Sequence, residues 1–343
     1  MTTNPSRLLQ AFHGENDVIP VWFMRQAGRF LPEYRTIREK HSLEEMFKTP
    51  EIAAHVTCMP IDALGVDAAI LFADILTLPA AMGAEIRFSK DEGPVISSPI
   101  RDAVGVNNLH DMEHLTHIEQ AISIINGRLP ANVPLIGFAG APFTVLCYLV
   151  EGSSSMNFTR VLKIMQNDPN MFHKLMRILT KNTVSYLNLQ KKAGIKVFQL
   201  FDTWGGILRP EDYRNFVLPH VQEVFEGVDL PSIYYLKNCS HLLSLMENSG
   251  ADFLSVCHTV VFGQNLFLDN TKKGIQGNLF NGLLYAEQDI LEKELSSLLL
   301  QSRRFKKYIF NLSHGLFPDT EVDKVKFIVD KVHRFNWRLR KIK

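Results

Sequence analysis

Cysteine is scarce in this chain: four in 343 residues, at Cys58, Cys147, Cys239 and Cys257. So few cannot build a disulfide framework, and no Cys-x-x-Cys pair offers half of a zinc knuckle. An excess of either charge is missing as well. Lys and Arg number 37 against 36 Asp and Glu, a net charge of +1, which argues against a global electrostatic grip on nucleic acid or on a membrane surface. A local basic pocket for a small acidic molecule stays open. No Gly-x-Gly-x-x-Gly follows an apolar run, which counts against a dinucleotide fold. A Walker loop, a Ser nucleophile elbow and a His-Glu-x-x-His motif are absent too. Low-complexity segments, Ser/Gly linkers, charge blocks and fixed-period repeats are lacking. The opening Met1-Thr2-Thr3-Asn4-Pro5-Ser6-Arg7 does not follow the basic-then-apolar plan of a signal peptide. What is plentiful is core material: 46% of residues are hydrophobic and 21% charged, the mix of a globular protein.

One uncharged stretch, residues 133–150, is 18 long and could be taken for a membrane span. Pro134, Gly137, Gly140 and Pro142 interrupt it, so it reads as a buried strand, a turn at Gly140-Ala141-Pro142 and the start of a helix. A cytoplasmic protein is expected. Eight short apolar runs recur along the chain, at 18–24, 68–72, 134–138, 196–201, 232–236, 253–256, 274–279 and 308–312. They do not alternate, as is usual for strands buried on both faces. Helical patterns separate them; Val322, Val325, Ile328, Val329 and Val332, for example, share one face. Strand alternating with helix implies α/β architecture with a parallel sheet. Eight units favour a single (β/α)8 (TIM) barrel domain across residues 1–343, with an open doubly wound sheet as the alternative. Residues 85–100, with Gly93-Pro94 between two semi-apolar runs, read as a hairpin or loop inserted after the second strand.

In a barrel, chemistry gathers where strands end. The first run is followed by Arg25-Gln26-Ala27-Gly28-Arg29, the second by Asp74, the third by the Gly140 turn and Tyr148. The fourth ends in Phe201-Asp202-Thr203-Trp204, the fifth at Lys237, the sixth at Cys257-His258, the seventh at Asn278 and the eighth in Asn311-Leu312-Ser313-His314-Gly315. Arg25 and Arg29 also sit at helical spacing, but Gly28 and Pro32 argue for a loop before a helix near Pro32. Two guanidinium forks on one loop suit carboxylates, which accept paired hydrogen bonds. Asp74 lies in a wholly apolar segment, so it needs a structural partner or awaits a ligand. A single His such as His314 is more often a structural hydrogen-bonder than a catalyst. A metal site reads poorly: Cys257 and His258 are adjacent, and His55 with Cys58 finds no second pair. The residues alone thus lead to a barrel enzyme for a multiply carboxylated ligand, with no cofactor or metal called for.

Two stretches carry a resemblance. Pro20-Val21-Trp22-Phe23-Met24-Arg25-Gln26-Ala27-Gly28-Arg29-Phe30-Leu31-Pro32-Glu33-Tyr34-Arg35 resembles the N-terminal signature of the uroporphyrinogen decarboxylase family. Val133-Pro134-Leu135-Ile136-Gly137-Phe138-Ala139-Gly140-Ala141-Pro142-Phe143-Thr144 resembles its second signature, and the segments around Asp74, Thr203, Asn278 and His314 follow in the family's order. The resemblance implies a cofactor-free barrel, usually a homodimer with facing mouths. It also implies conversion of uroporphyrinogen III to coproporphyrinogen III by loss of four acetate carboxyl groups in haem biosynthesis. It places Arg25, Gln26, Ala27, Gly28 and Arg29 against substrate carboxylates and Asp74 at the macrocycle centre, accepting pyrrole N–H groups. Tyr148, Thr203 and His314 complete the pocket, and Arg25, or a water near it, is the candidate proton donor beside Asp74.

The chain departs from that family in three places. A Lys-Gly-Gly-Gly segment reads Lys237-Asn238-Cys239-Ser240, Leu-Asp-Trp-Thr reads Val256-Cys257-His258-Thr259, and Gly-Asn-Leu-Asp-Pro reads Gly277-Asn278-Leu279-Phe280-Asn281. Asn tolerates a glycine's backbone angles in part and Cys or Ser poorly, so the first loop is expected to take another path. Decarboxylation is expected to survive but to be slower or less complete. Two other readings remain open. One is a related barrel acting as a corrinoid-linked methyltransferase, which needs zinc held by thiolates. The other is a porphyrinogen-binding relative with little turnover.

Overall fold

The computed structural model describes residues 5–89, 93–153, 155 and 157–338. Its strands in chain order are β1 (Ala69–Ile70), β2 (Ile86–Ser89), β3 (Gly93–Ile96), β4 (Leu135–Gly140), β5 (Val197–Asp202), β6 (Ser232–Leu236), β7 (Phe253–Ser255), β8 (Gly274–Gln276) and β9 (Tyr308–Ile309). Seven of them form one sheet in the order β1-β4-β5-β6-β7-β8-β9, every pair parallel. Helices join successive strands, so the architecture is α/β. All residues of β4 and β6 are buried, which is why these runs carry no polar alternation.

The first apolar run forms no ladder of its own, yet it touches both ends of the sheet. Val21 makes a parallel bridge to Phe310, and Phe310 N–H donates to the Pro20 carbonyl at 2.9 Å. On its other side Asp67 N–H donates to the Val21 carbonyl at 2.8 Å, while Val21 N–H donates to Asp67 Oδ2, also at 2.8 Å. Asp67 further accepts from Arg7 at 3.0 Å and contacts His333 at 2.7 Å. This one carboxylate therefore binds the first helix (Arg7–His13) and the last (Val322–Arg334) to the first run. On the inner side of the sheet Trp22 Nε1 donates to Gln276 Oε1 at 2.9 Å, and Gln276 Nε2 donates to Gln199 Oε1 at 2.9 Å and Ser255 Oγ at 2.8 Å. All four are fully buried. These bonds satisfy most of the layer's buried polar atoms, Gln199 Nε2 excepted.

Residues 133–150 divide into strand, turn and helix. β4 ends at Gly140, and Pro142 opens the helix Pro142–Glu151 at its first position, where a missing N–H costs nothing. A side chain at Gly140 would lie 2.8 Å from Val145, so the turn needs glycine. Among the described residues no helix is long and apolar enough to cross a membrane. β2 and β3 pair antiparallel, Ile86 opposite Ile96, outside the seven-stranded sheet; residues 90–92 between them lie outside the described residues. Ile96 N–H to Gly152 O (2.7 Å) and Ile100 N–H to Leu149 O (2.8 Å) fasten the following segment to that helix.

Several runs make shorter strands than their apolar length predicts, the seventh and eighth among them. The seventh stops at Gln276 because Gly277 takes φ +126°, where a Cβ would meet the Val256 carbonyl at 2.6 Å. The eighth stops at Ile309, after which the Asn311 side chain accepts from Met24 N–H (3.4 Å) and Leu312 N–H (2.8 Å) in place of ladder partners. Both interruptions occur where the chain leaves the sheet for the loops that carry the polar residues.

Candidate active site

The expected cluster assembles around Arg25. This residue has φ +62°, a left-handed conformation that costs a non-glycine residue energy and needs surrounding support. Gly315 lies against its side chain: a Cβ there would sit 2.4 Å from Arg25 Cδ. The loop is pinned by Gln26, whose Oε1 accepts from Phe23 N–H at 3.0 Å and whose Nε2 donates to the Ala68 carbonyl at 2.9 Å. Gln26 is fully buried, and both ends of its amide serve the loop. Ala27 and Gly28 are half-buried and Arg29 is exposed. A Cβ at Gly28 would meet the Arg25 carbonyl at 2.7 Å, and Leu31 N–H closes the turn on the Gly28 carbonyl at 3.0 Å before the helix Pro32–Lys40.

Asp74 lies in the turn between β1 and the helix Thr77–Ala81. Its Oδ1 accepts from Leu76 N–H at 2.8 Å, while its own N–H donates to Thr77 Oγ1 at 3.3 Å. Burial pushes its carboxyl above the ordinary range, opposed by the Leu76 hydrogen bond and the Arg25 charge. Among the described residues it has no ion pair; Arg25 acts on it from beyond contact, and part of its surface remains open. The same guanidinium charge acts on Tyr148, Tyr235 and His314. Arg25, Asp74, Tyr148 and His314 are thus brought together, with Tyr235 added. No hydrogen bond or charge interaction joins Arg29 or the half-buried Thr203 to Asp74 among the described residues.

His314 is the group whose state is best defined. Burial first, then the charges of Arg25 and Lys237, hold its imidazole down to about 4. Its Nδ1 accepts from Gly315 N–H at 2.7 Å, so the neutral ring carries its proton on Nε2 and can donate one hydrogen bond. The unfolded chain takes up this proton near pH 6.5 and the folded chain only near 4. The contribution to stability is therefore complete above the unfolded value and is lost as pH falls through that window. This group alone should cost about 2 kcal/mol of stability between pH 7 and pH 5. His314→Gln should lose correspondingly less over that interval in urea denaturation. His220, also held down to about 4, is common to both proteins and cancels.

Several contributors were not singled out from the sequence. Asp202, at the end of β5, accepts from Thr144 Oγ1 (2.6 Å), Tyr234 OH (2.8 Å) and Gly205 N–H (3.2 Å), and Tyr213 OH lies 2.6 Å from Tyr234 OH. Thr144 Oγ1 in turn accepts from Trp204 N–H at 3.1 Å. This buried chain fixes the loop that carries Thr203 and Trp204. Trp204 packs its ring on Tyr148 (6.3 Å) and Phe158 (4.6 Å), and the Lys237 ammonium lies over it at 5.7 Å. Gly315 is another. In Gly315→Ala the new methyl group displaces Arg25, and KM should rise about two- to tenfold, the equivalent of the roughly 0.5–1.5 kcal/mol of a displaced rotamer. Steady-state kinetics beside a thermal melt measure both effects, with the melt changed little.

The substituted side of the mouth is internally bonded. Asn238 takes φ +56°, so it keeps a backbone angle that suits glycine. Cys239 and Cys257 bring their sulfurs within 3.9 Å, and Cys257 Sγ lies 3.0 Å from Thr259 Oγ1. Those hydrogen bonds hold the Cys257 thiol below its ordinary range and push Cys239 up. His258 Nδ1 approaches Ser313 Oγ at 3.2 Å and its ring packs on Phe280 at 4.6 Å. Asn278 Nδ2 donates to the carbonyls of Cys257 (2.9 Å) and Val260 (2.7 Å). Among the described residues no three His, Cys, Asp or Glu side chains are placed to hold a metal ion.

This arrangement suits a ligand that carries carboxylates at its edge and N–H donors at its centre. Arg25 presents a guanidinium fork, Asp74 a carboxylate in poorly solvated surroundings and His314 a neutral donor; Tyr148 packs on Trp204, and Tyr235 on His314. The family profile described as uroporphyrinogen decarboxylase (URO-D) matches residues 3–335. The uroporphyrinogen decarboxylase of Geobacter sp. (strain M21) is 41% identical over 338 residues, covering 96% of this chain and 99% of its own. That of Thermodesulfovibrio yellowstonii (strain ATCC 51303 / DSM 11347 / YP87) is 43% identical over 333 residues, covering 96% and 98%. Among solved structures, a methyltransferase from Methanosarcina mazei superposes with a TM-score of 0.81 over 95% of this chain and 97% of its own, at 22% identity, a likeness of fold alone. By sequence over nearly its whole length, the chain belongs to the uroporphyrinogen decarboxylase family.

Proposed function

We infer that the protein is a carboxy-lyase that removes the four acetate carboxyl groups of uroporphyrinogen III, giving coproporphyrinogen III in porphyrin and haem biosynthesis. The observation that carries this reading is Asp74, a largely enclosed carboxyl raised by burial, which accepts from Leu76 N–H and feels the Arg25 charge. Loss of carbon dioxide leaves an electron pair that needs a sink. A pyrrole protonated on carbon is such a sink, so the substrate itself does what a cofactor does elsewhere, and none is called for. Protonation makes the ring cationic. A fixed carboxylate near the pyrrole N–H groups then stabilises the cation more than the neutral ground state, and poor solvation strengthens the effect.

Arg25 holds a substrate carboxylate, and either Arg25 or a water beside it is the proposed proton source. Arg29 meets carboxylates at the rim, while Ala27 and Gly28 let the substrate approach the loop. Tyr148, Thr203 and His314 line the pocket, and the Nε2–H of His314 is free to donate to a carboxylate. Gln26 positions Arg25.

The finer architecture belongs to the same proposal. Residues 18–24 serve as the first strand and close the seven-stranded sheet into an eight-stranded barrel, one domain across residues 1–343, with the β2–β3 hairpin inserted after the second strand. The Val21–Phe310 bridge, the Asp67–Val21 hydrogen bond and the Trp22–Gln276–Gln199 layer support closure. The protein works as a cytoplasmic homodimer with facing mouths. In support, the apolar side chains of Ile207, Val261 and Phe280, in the segments after β5, β7 and β8, are 40%, 47% and 46% exposed.

The test is incubation with freshly reduced uroporphyrinogen III, followed by oxidation and chromatography by carboxyl number. Conversion from octa- to tetracarboxylate supports the reading, with hepta-, hexa- and pentacarboxylates accumulating on the way. Recovery of unchanged substrate from a complex that forms would favour a binding role. Restoring Cys257→Asp and Phe280→Asp together with glycines at 238–240 should shorten the lifetime of the intermediates. No change in their lifetime would make this side of the mouth scaffolding.

A further inference from the structure

The loops after β6 and β7 hold a feature that decarboxylation does not use. β6 and β7 are parallel neighbours, Tyr235 opposite Ser255, so the segments leaving them emerge side by side. Cys239 comes from one and Cys257 from the other, and their sulfurs lie 3.9 Å apart. Both are free thiols. Cys239 is buried between the exposed Asn238 and Ser240, and Cys257 is buried between Val256, also buried, and the exposed His258 and Thr259. A small polar oxidant therefore needs only a local opening of two surface loops to arrive. The other cysteines are elsewhere, Cys58 on the helix Pro50–Leu64 and Cys147 on the helix Pro142–Glu151.

We propose that Cys239 and Cys257 form a peroxide-oxidisable dithiol, a modification site that closes into a disulfide joining the two loops at the mouth. Closure brings the sulfurs from 3.9 Å to about 2 Å, a movement that short exposed loops absorb. Cys257 is the attacking thiolate, because the Cys239 and Thr259 hydrogen bonds favour its ionised form. It attacks one oxygen of hydrogen peroxide. The O–O bond breaks, a sulfenic acid forms, and the departing hydroxide leaves as water with the proton Cys257 gave up. Cys239 then attacks the sulfenic sulfur; the S–S bond forms, the S–O bond breaks, and the second hydroxide leaves as water with the proton of Cys239. Two thiols are oxidised and one peroxide is reduced to two waters. Lys237, which covers the Trp204 ring, is two residues from Cys239, so the bridge reaches the wall of the substrate pocket.

The experiment counts thiols. Wild-type protein is treated with a small excess of hydrogen peroxide, quenched with catalase, denatured, alkylated with N-ethylmaleimide and weighed intact. Labelling should fall from all four cysteines to two and return to four after dithiothreitol. Chymotryptic mapping should find the Cys239 peptide joined to the Cys257 peptide. In Cys239→Ser the sulfenic acid has no resolving partner, so dimedone should label Cys257 there and not in wild type. Four labels after peroxide, a bridge through Cys58 or Cys147, a bridge between chains, or Cys257 found as a sulfinic acid in wild type would each overturn the proposal. The wild-type count holds even if the variant fails to fold.

Discussion

Asp74→Asn should bind uroporphyrinogen nearly as well as the wild type and turn it over about a hundred- to a thousandfold more slowly. The substitution keeps size and shape, and the amide oxygen can still accept from Leu76 N–H, so the turn before Thr77 should persist. What it removes is a negative charge, which matters most once the pyrrole has become cationic. One such electrostatic contact is worth roughly 3–4 kcal/mol of barrier. Asp74→Asn also separates this account from one in which the raised carboxyl acts as a structural anchor, because an anchor would show its loss in the thermal melt instead. Steady-state kinetics beside a melt decide it: kcat down with KM and Tm little changed is the expected pattern, and full turnover would remove Asp74 from the chemistry.

Arg25→Ala should act on both binding and rate, and in a salt-dependent way. It strands a substrate carboxylate that had a charged hydrogen bond, a loss of roughly 1.5–3 kcal/mol, or about ten- to a hundredfold in KM. The same change removes a positive charge that, after the Leu76 hydrogen bond, opposes the rise burial imposes on the Asp74 carboxyl, so kcat should fall too, and its acid limb should move to higher pH. It also removes one of the charges that depress His314. Arg29→Ala, at an exposed rim position with no charge interaction with Asp74 among the described residues, should raise KM less and lose its effect in high salt. Equal KM for wild type and both variants would return this loop to an ordinary surface role.

The sequence made some of these positions legible and hid others for physical reasons. Strands β4 and β6 stand out because every one of their residues is buried, so the apolar run and the strand coincide. Arg25 and Asp74 stand out because a charged residue directly after a buried run is costly unless it serves something. Gln26 is less legible: an amide in a mouth loop reads as a ligand contact, and only the structure shows both of its ends held by Phe23 and Ala68. Gly315 and Lys237 matter through neighbours from distant parts of the chain, Arg25 and Trp204, which no local pattern records. The Cys239–Cys257 pair was visible only as two separate departures from a family pattern; the parallel register of β6 and β7 makes them one feature. The early ends of β8 and β9 follow from a glycine angle and an asparagine side chain inside runs that remain apolar.

The central claim is that this chain carries out the decarboxylation with its own residues and the substrate's own pyrroles. Uroporphyrinogen III labelled with carbon-13 in its acetate carboxyl groups, incubated anaerobically with purified protein after exhaustive treatment with a chelator and with no cofactor added, puts that claim to the measurement. The account predicts release of all the label as carbon dioxide, with the propionate carboxyl groups intact and with release abolished to within a percent or so in Asp74→Asn, the counterpart of roughly 3 kcal/mol. Binding of the substrate with no labelled carbon dioxide, or release that returns only on adding a metal or a cofactor, would contradict it.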